Sequence, residues 1–169
     1  MPFYLIMNSK VVAHDFDYLQ GQPGRRLDET LSPRNPNPVK ANKSVHTWAI
    51  EIMSKKVITL TPDNTVTEAV EIFKEKGIHH IPLIKDHVLV GIVSDRDIMW
   101  LDLMEMGKYT TLDQFMHKII VACHEDTPID HLAHVFYKEE INGMPVINDK
   151  NKLVGMITHR DILRWVYRD

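Results

Sequence analysis

Apolar residues recur at Val66, Ala69, Val70 and Phe73, and again at Ile129, Leu132, Ala133 and Phe136. The spacing i, i+3, i+4, i+7 predicts two amphipathic helices, each with one apolar stripe. In the first half, short β-rich runs flank the helix at 57–60, 81–84 and 88–93, the first of them stopped by Pro62. In the second half the matching runs are 144–147 and 153–157. Pro82 and Pro145 suit a strand start or edge, where a missing N–H costs no ladder bond. Thr127 is expected to cap the second stripe with Pro128 at the first helical position, and Asn64 to cap the first, which Gly77 ends. Asp86-His87 and Asp149-Lys150-Asn151-Lys152 read as turns. Asp97 and Asp161 are expected to open a second helix in each half, and Ile162, Trp165 and Val166 keep helical spacing on the last one.

The two halves are copies. Shifted by sixty-three residues, 53–86 lies on 116–149: Met53 meets Met116, Asp63 meets Asp126, Phe73 meets Phe136 and Pro82 meets Pro145. One residue is then inserted, and GIVSDRD at 91–97 meets GMITHRD at 155–161. Each copy reads strand, helix, strand, strand, helix. Two copies are too few for a solenoid, so a closed pair about a pseudo-two-fold axis is expected. The predicted fold class is α/β (α+β), two β-α-β-β-α units at 46–109 and 110–169. Residues 1–45 form an extension. Phe3–Met7, Asn8-Ser9 and Val11-Val12 suit a small hairpin, and 20–44 carries four prolines and little apolar content, an extended or partly disordered arm.

Composition narrows the function classes. The chain has 169 residues, 44% apolar and 25% charged, with net charge −3. That balance argues against nucleic acid as the main partner. The single cysteine, Cys123, permits no intrachain disulfide and fits a reducing compartment. MPFYLIM lacks a basic stretch before its apolar run, and no apolar run reaches the roughly 18 residues of a membrane span. A cytoplasmic protein with no membrane partner is expected.

The repeated heptad carries the chemistry. Ser94 or Thr158 ends a strand, and Asp97 or Asp161 follows three residues later at a helix start. Helix N-termini favour anions, and a hydroxyl beside those amides can hold a phosphate. A carboxylate there can take two ribose hydroxyls, and Arg96 and Arg160 can reach phosphate oxygens. S-x-x-D is equally a capping pattern, which needs no ligand.

With IMSKKVITL and FMHKIIVAC, GIHHIPLI and INGMPVI, and GIVSDRDI and GMITHRDI in order, the chain resembles a tandem pair of cystathionine-β-synthase (CBS) domains, the Bateman module. The resemblance covers about 70% of the chain, from Trp48 to Tyr167. It implies two clefts for adenosyl ligands, each drawing on both repeats, and a disc-shaped homodimer. Carried onto this sequence, one cleft would use Val57, Ile58, His79 and His80 with Thr158 and Asp161. The other would use Ile120, Val121, Asn142 and Gly143 with Ser94 and Asp97. His79 and His80 are bulky where the family often has smaller side chains, although an imidazole could stack on adenine. Gly143 lets backbone approach a ligand closely. The second cleft is therefore favoured, and the two arginines favour AMP, ADP or ATP over cationic S-adenosylmethionine. No cofactor is required beyond that ligand.

Other constellations are weaker. His131 and His134 lie at i, i+3 with His124 nearby, but their counterparts Glu68 and Glu71 suggest a solvated face rather than a metal site. Cys123 and His124 are adjacent on a strand and so point apart, which argues against a nucleophile–base pair and makes a buried structural thiol the expected role. Met99, Trp100, Leu101, Leu103, Met104 and Met106 make the connecting helix either core or dimer face. Three functions follow: a non-enzymatic adenine-nucleotide sensor acting through a protein encoded elsewhere, an interaction module with empty clefts, or a metal-dependent enzyme.

Overall fold

The computed structural model describes residues 3–19 and 47–167. The arm at 20–44 lies outside the described residues. The chain opens with an antiparallel hairpin of β1 (Phe3–Met7) and β2 (Lys10–Ala13). Asn8 and Ser9 both have positive φ, the geometry of a two-residue turn that matches strand twist. Copy one follows as α1 (Ala49–Ile52), α2 (Val66–Lys76), β3 (His80–Lys85), β4 (Val88–Ser94) and α3 (Asp95–Leu103). Copy two contains a 3-10 turn at Leu112–Gln114, then β5 (Ile119–His124), α4 (Ile129–Lys138), β6 (Gly143–Ile147), β7 (Leu153–Thr158) and α5 (His159–Val166).

The sheets are β3-β4 and β2-β1-β5-β6-β7. Their inequality has a physical cause. β1 runs antiparallel along β5, from Phe3 opposite Cys123 to Met7 opposite Ile119. The equivalent stretch of copy one, 57–60, is not the strand expected, because among the described residues no hairpin lies along it. Only Leu60 bridges to Leu83, in parallel.

Among the described residues, three apolar clusters fill the interior. Val66, Ala69, Val70 and Phe73 of α2 pack with Ile81, Val93, Ile98 and Leu101. Ile129, Leu132, Val135 and Phe136 of α4 pack with Cys123, Met144 and Ile157, and with Phe3 and Phe16 of the extension. Ile6 joins Leu89, Ile92, Ile120, Ala122 and Met156 between the copies. The periodic stripes thus became the buried faces, as amphipathic spacing requires.

The caps shift by one residue. Thr65, not Asn64, caps α2: its N–H donates to Glu68 Oε2 at 2.6 Å, and its hydroxyl accepts from the Glu68 N–H at 3.3 Å. Pro128, not Thr127, sits at the cap of α4, because the Thr127 hydroxyl accepts from the His124 N–H at 3.0 Å and closes the preceding turn. Gly77 ends α2 in the left-handed conformation, as expected. Asp97 and Asp161 do not open α3 and α5; those helices begin two residues earlier, at Asp95 and His159.

The copies exchange their leading segments. Ser54 pairs with Met156 of copy two, N–H to carbonyl in both directions at 2.9 and 3.0 Å, and His117 pairs with Ile92 of copy one at 2.8 and 3.2 Å. Gly91 and Gly155 receive Met116 and Met53 from the other copy, and a Cβ at either glycine would run into the methionine sulfur. The exchange is symmetric, so the two copies are interlocked about the pseudo-two-fold axis.

The face carrying His131 and His134 is only partly solvated. Tyr18 of the extension stacks on His134 at 5.4 Å and donates to Glu139 Oε1 at 2.8 Å. The connecting helix divides: Leu101 is core, whereas Met99, Trp100, Leu103, Met104 and Met106 are exposed.

Candidate functional site

The interlocking leaves a cleft of about 520 Å³ at the junction of the copies. One side is the unpaired stretch carrying Val57 and Ile58, which leaves the sheet because no strand covers it. The floor is Met156 of β7 with His79 and His80, which lead into β3. The opposite rim is the start of α5, with Thr158, Arg160 and Asp161. All six residues expected of the first cleft therefore line one cavity.

At that rim, Asp161 accepts from the Thr158 N–H at 2.8 Å and from its hydroxyl at 2.7 Å. These bonds are half of a capping box, and they fix one carboxylate oxygen. Its other oxygen has Arg164 at 3.9 Å, too far for a hydrogen bond. A carboxylate so placed keeps acceptor capacity for hydroxyl donors.

His80 is the most constrained wall residue. Its Nδ1 is buried without a hydrogen-bond partner, and its ring lies against Gly143, where a Cβ would come within 2.8 Å. Burial pushes its pKa below the ordinary value. The close approach that Gly143 permits is thus taken by an imidazole of the same chain.

The second set of residues is not brought together in this way. Ser94 and Asn142 line the cavity already described, and Ile120, Val121, Gly143 and Asp97 do not. Ile120 is buried under Ile6 in the central cluster. Asp97 accepts from the Ser94 N–H at 3.0 Å and hydroxyl at 2.6 Å, and His117 Nε2 lies 3.1 Å from the same oxygen. Burial alone would raise the Asp97 carboxyl; the Ser94 bonds and the His117 imidazole outweigh it and hold the group below its usual range. Of the two expected clefts, the first is the one whose residues all line this cavity.

Further lining residues were not singled out from sequence: Ser54, Lys56, Asp95, His159 and Arg164. Lys56 directly precedes Val57, and Arg164 follows Arg160 by one helical turn, so both were within reach of the motif. His79 Nδ1 lies 2.7 Å from Asp95, and Asp95 also accepts from the Arg96 N–H at 2.9 Å. Among the described residues Lys56, Arg96 and Arg160 make no ion pair, and no group of three metal-ligating side chains forms. Cys123 is fully buried, and burial pushes its thiol up; His124 is turned to Asp126 at 2.6 Å and Asp149 at 3.1 Å.

The description CBS domain matches the sequence twice, over residues 49–103 and 112–168. The chain belongs to the CBS-domain family. Its two copies are a CBS pair, and the cleft lies between them. An L-aspartate semialdehyde sulfurtransferase of Methanocaldococcus jannaschii is 35% identical over 126 residues, 74% of this chain and 24% of that protein. An inosine-5′-monophosphate dehydrogenase of the same organism is 32% identical over 69% of this chain and 23% of that protein. This CBS pair thus spans about a quarter of these relatives. Among solved structures, the CBS domain pair of protein MJ0100, in complex with 5′-methylthioadenosine and S-adenosyl-L-methionine, matches with a TM-score of 0.64 and 32% identity, over 71% of this chain and 95% of that chain. The structure of CBSX2 in complex with AMP matches with a TM-score of 0.62 at 24% identity, over 70% of this chain and 95% of that chain, a likeness of fold. No helix among the described residues is long and apolar enough to cross a membrane.

Proposed function

We propose that this CBS pair is a non-catalytic regulatory module that binds an adenosyl ligand, with AMP, ADP or ATP favoured over S-adenosylmethionine, in the cleft lined by Val57, Ile58, His79, His80, Thr158 and Asp161. The observation that carries the reading is the Thr158–Asp161 pair facing the unpaired backbone of 57–58 across one cavity. The Asp161 carboxylate takes the ribose hydroxyls, and the α5 N-terminus with Arg160 takes phosphate. Apolar Val57, Ile58 and Met156 bound the remaining space and suit a base. The solved CBS pair at 32% identity holds two adenosyl compounds, which supports that ligand class. Four cationic side chains line the cleft, which disfavours a sulfonium.

Because the pair joins two interlocked copies, a ligand touching both biases their relation, and a regulated protein senses that change. In the named enzyme relatives the matched region is a minor part of the chain, which supports an accessory rather than catalytic role. A thermal-shift series on nucleotide-free protein tests the proposal, using AMP, ADP, ATP, S-adenosylmethionine and GTP. Ligand at 100 times its Kd adds about 2.7 kcal/mol, a readily seen rise in Tm. A flat response to every compound would overturn it.

A second reading is an interaction module that dimerises through its helices with empty clefts. The exposed Trp100 and Leu103 of α3 and Met104 and Met106 after it, with Leu163 and Val166 on α5, favour a homodimer contact there. Sedimentation showing a concentration-dependent dimer, with no nucleotide response, would select this reading.

A further inference from the structure

We propose that the outer edge of β2 docks a second chain of this protein, paired antiparallel about Val12, so that two five-stranded sheets become one. This contact lies outside the cleft and is separate from the exposed helix residues named above.

Among the described residues, every other sheet edge is covered by backbone from elsewhere in the chain. β7 is bridged by Ser54 at Met156, and β4 by His117 at Ile92. β3 is bridged by Leu60, which exchanges bonds with Pro82 and Ile84. β2 ends the order β2-β1-β5-β6-β7, with no strand or bridge beyond it among the described residues. Its free groups follow from the ladder. The His14 N–H donates to the Phe3 carbonyl at 3.0 Å, so Phe3 and His14 form a hydrogen-bonded pair. By alternation Leu5–Val12 and Met7–Lys10 are hydrogen-bonded pairs too. Val11 and Ala13 therefore turn their N–H and C=O groups outward. The edge is regular: its register runs from Tyr4–Ala13 to Met7–Lys10 without a bulge or proline, and Lys10 is its only charge. Such an edge is a template for another strand.

The edge is complementary to itself. With a two-fold axis at Val12, Val11 of each chain comes opposite Ala13 of the other, and each pair exchanges both its N–H···O=C bonds. Val12 then meets Val12 in the non-hydrogen-bonded position, where side chains are closest and β-branched pairs pack well. Val12 is 49% exposed, and Met7 and Ile119 are exposed on the same face of the sheet. Pairing covers Val12 and makes this apolar strip continuous between the chains. The contact uses both free edges, so it closes at two chains. It is small, so the association is transient and depends on concentration.

The test is oxidative cross-linking of the full chain at pH 8. In a non-hydrogen-bonded antiparallel pair the Cα atoms lie about 4.5 Å apart, within the roughly 4.4–6.8 Å that a disulfide spans. Val12→Cys should therefore give a disulfide-linked dimer whose yield rises with protein concentration. Lys10→Cys is also exposed and on the same face, but comes opposite His14 of the second chain, so it should give at least about tenfold less. The native Cys123 is fully buried, and wild type serves as the blank. Ala13→Pro, added to Val12→Cys, removes an outward N–H and no bond to β1, because Tyr4–Ala13 is a non-hydrogen-bonded pair. It should lower the yield at least about tenfold, since both chains lose a bond, and leave Tm unchanged. Leu103→Asp, at the exposed end of α3, should leave the cross-link intact. No Val12→Cys dimer at any concentration, or equal yields from Lys10→Cys and Val12→Cys, overturns the proposal. So does loss of the cross-link in Leu103→Asp. Slow amide exchange at Val11 and Ala13 in dilute, monomeric protein would show the edge covered within the chain, and overturns it as well.

Discussion

Asp97 and Asp161 occupy equivalent positions and differ only in their neighbours. Each uses one carboxylate oxygen for its capping bonds; Asp161 lines the cleft, whereas Asp97 does not and has His117 Nε2 at 3.1 Å from that same oxygen. Asp161→Asn should therefore weaken nucleotide binding about 10–100-fold, the equivalent of roughly 1.5–3 kcal/mol for a lost charged acceptor. Asp97→Asn should change it less than about twofold, because Asp97 does not line this cleft. Calorimetry on both variants decides: equal losses would return the second cleft to consideration. Asp97 instead contributes to stability. Its folded pKa lies below the ordinary 3.8, so the contribution is present above that value and is lost as pH falls through the lower folded one. The Tm gap between wild type and Asp97→Asn should accordingly shrink at strongly acidic pH. His80 titrates in a different window. Burial lowers its pKa from 6.5, so the folded state binds fewer protons and stability falls as pH drops below that value. His80→Phe should flatten the Tm profile between neutral pH and mildly acidic pH; an unchanged slope would place the titrating group elsewhere.

At the scale of elements, local pattern decided most of what was legible. The α2 stripe buried every residue its periodicity selected, the α4 stripe buried Ile129, Leu132 and Phe136 but Val135 in place of Ala133, and β3, β4, β6 and β7 formed over the expected runs. What failed was long-range. The run 57–60 has the same β-rich character as 119–124, and only the neighbour differs: β1 lies along the second and not the first. Neither the exchange of Ser54 and His117 between copies nor the stacking of Tyr18 on His134 leaves a periodic signal in its own segment. The helix starts were off by one or two residues because Ser, Thr, Asn and Asp all compete for the cap, and geometry rather than residue type decides among them. The hairpin was read correctly as a hairpin, but its role was not. Ile6 is buried in the cluster that joins the copies. Ile6→Ala should cost about 2–5 kcal/mol, as for other fully buried aliphatic side chains, read from the denaturant midpoint. A loss well under 1 kcal/mol would mean the hairpin is an ornament on copy two rather than part of the central core.

For the whole molecule, the sequence repeat implies two equivalent clefts, and the structure breaks that equivalence in three places. The hairpin strand lies along β5 but has no counterpart along 57–60 among the described residues. His80 and Gly143 hold equivalent places and touch each other, so the copies meet there through an imidazole on one side and bare backbone on the other. His117 engages Asp97, whereas its counterpart beside Asp161 is Ser54, a shorter side chain that lines the open cleft. The hairpin and His117 add groups beside the second set of residues and leave the first cleft open, so these two differences act in the same sense. Saturating titration with ADP or ATP should then give one site per chain rather than two. His117→Ala frees the Asp97 oxygen but leaves His80 and the hairpin in place, so it should not by itself raise the count. A wild-type stoichiometry of two would show that the second cleft opens at little cost and that the asymmetry is not functional. A stoichiometry of one, kept in His117→Ala, would mean that the pair senses its ligand at a single cleft while the second copy supplies the interlocked frame and Arg160, Asp161 and Thr158 at its rim.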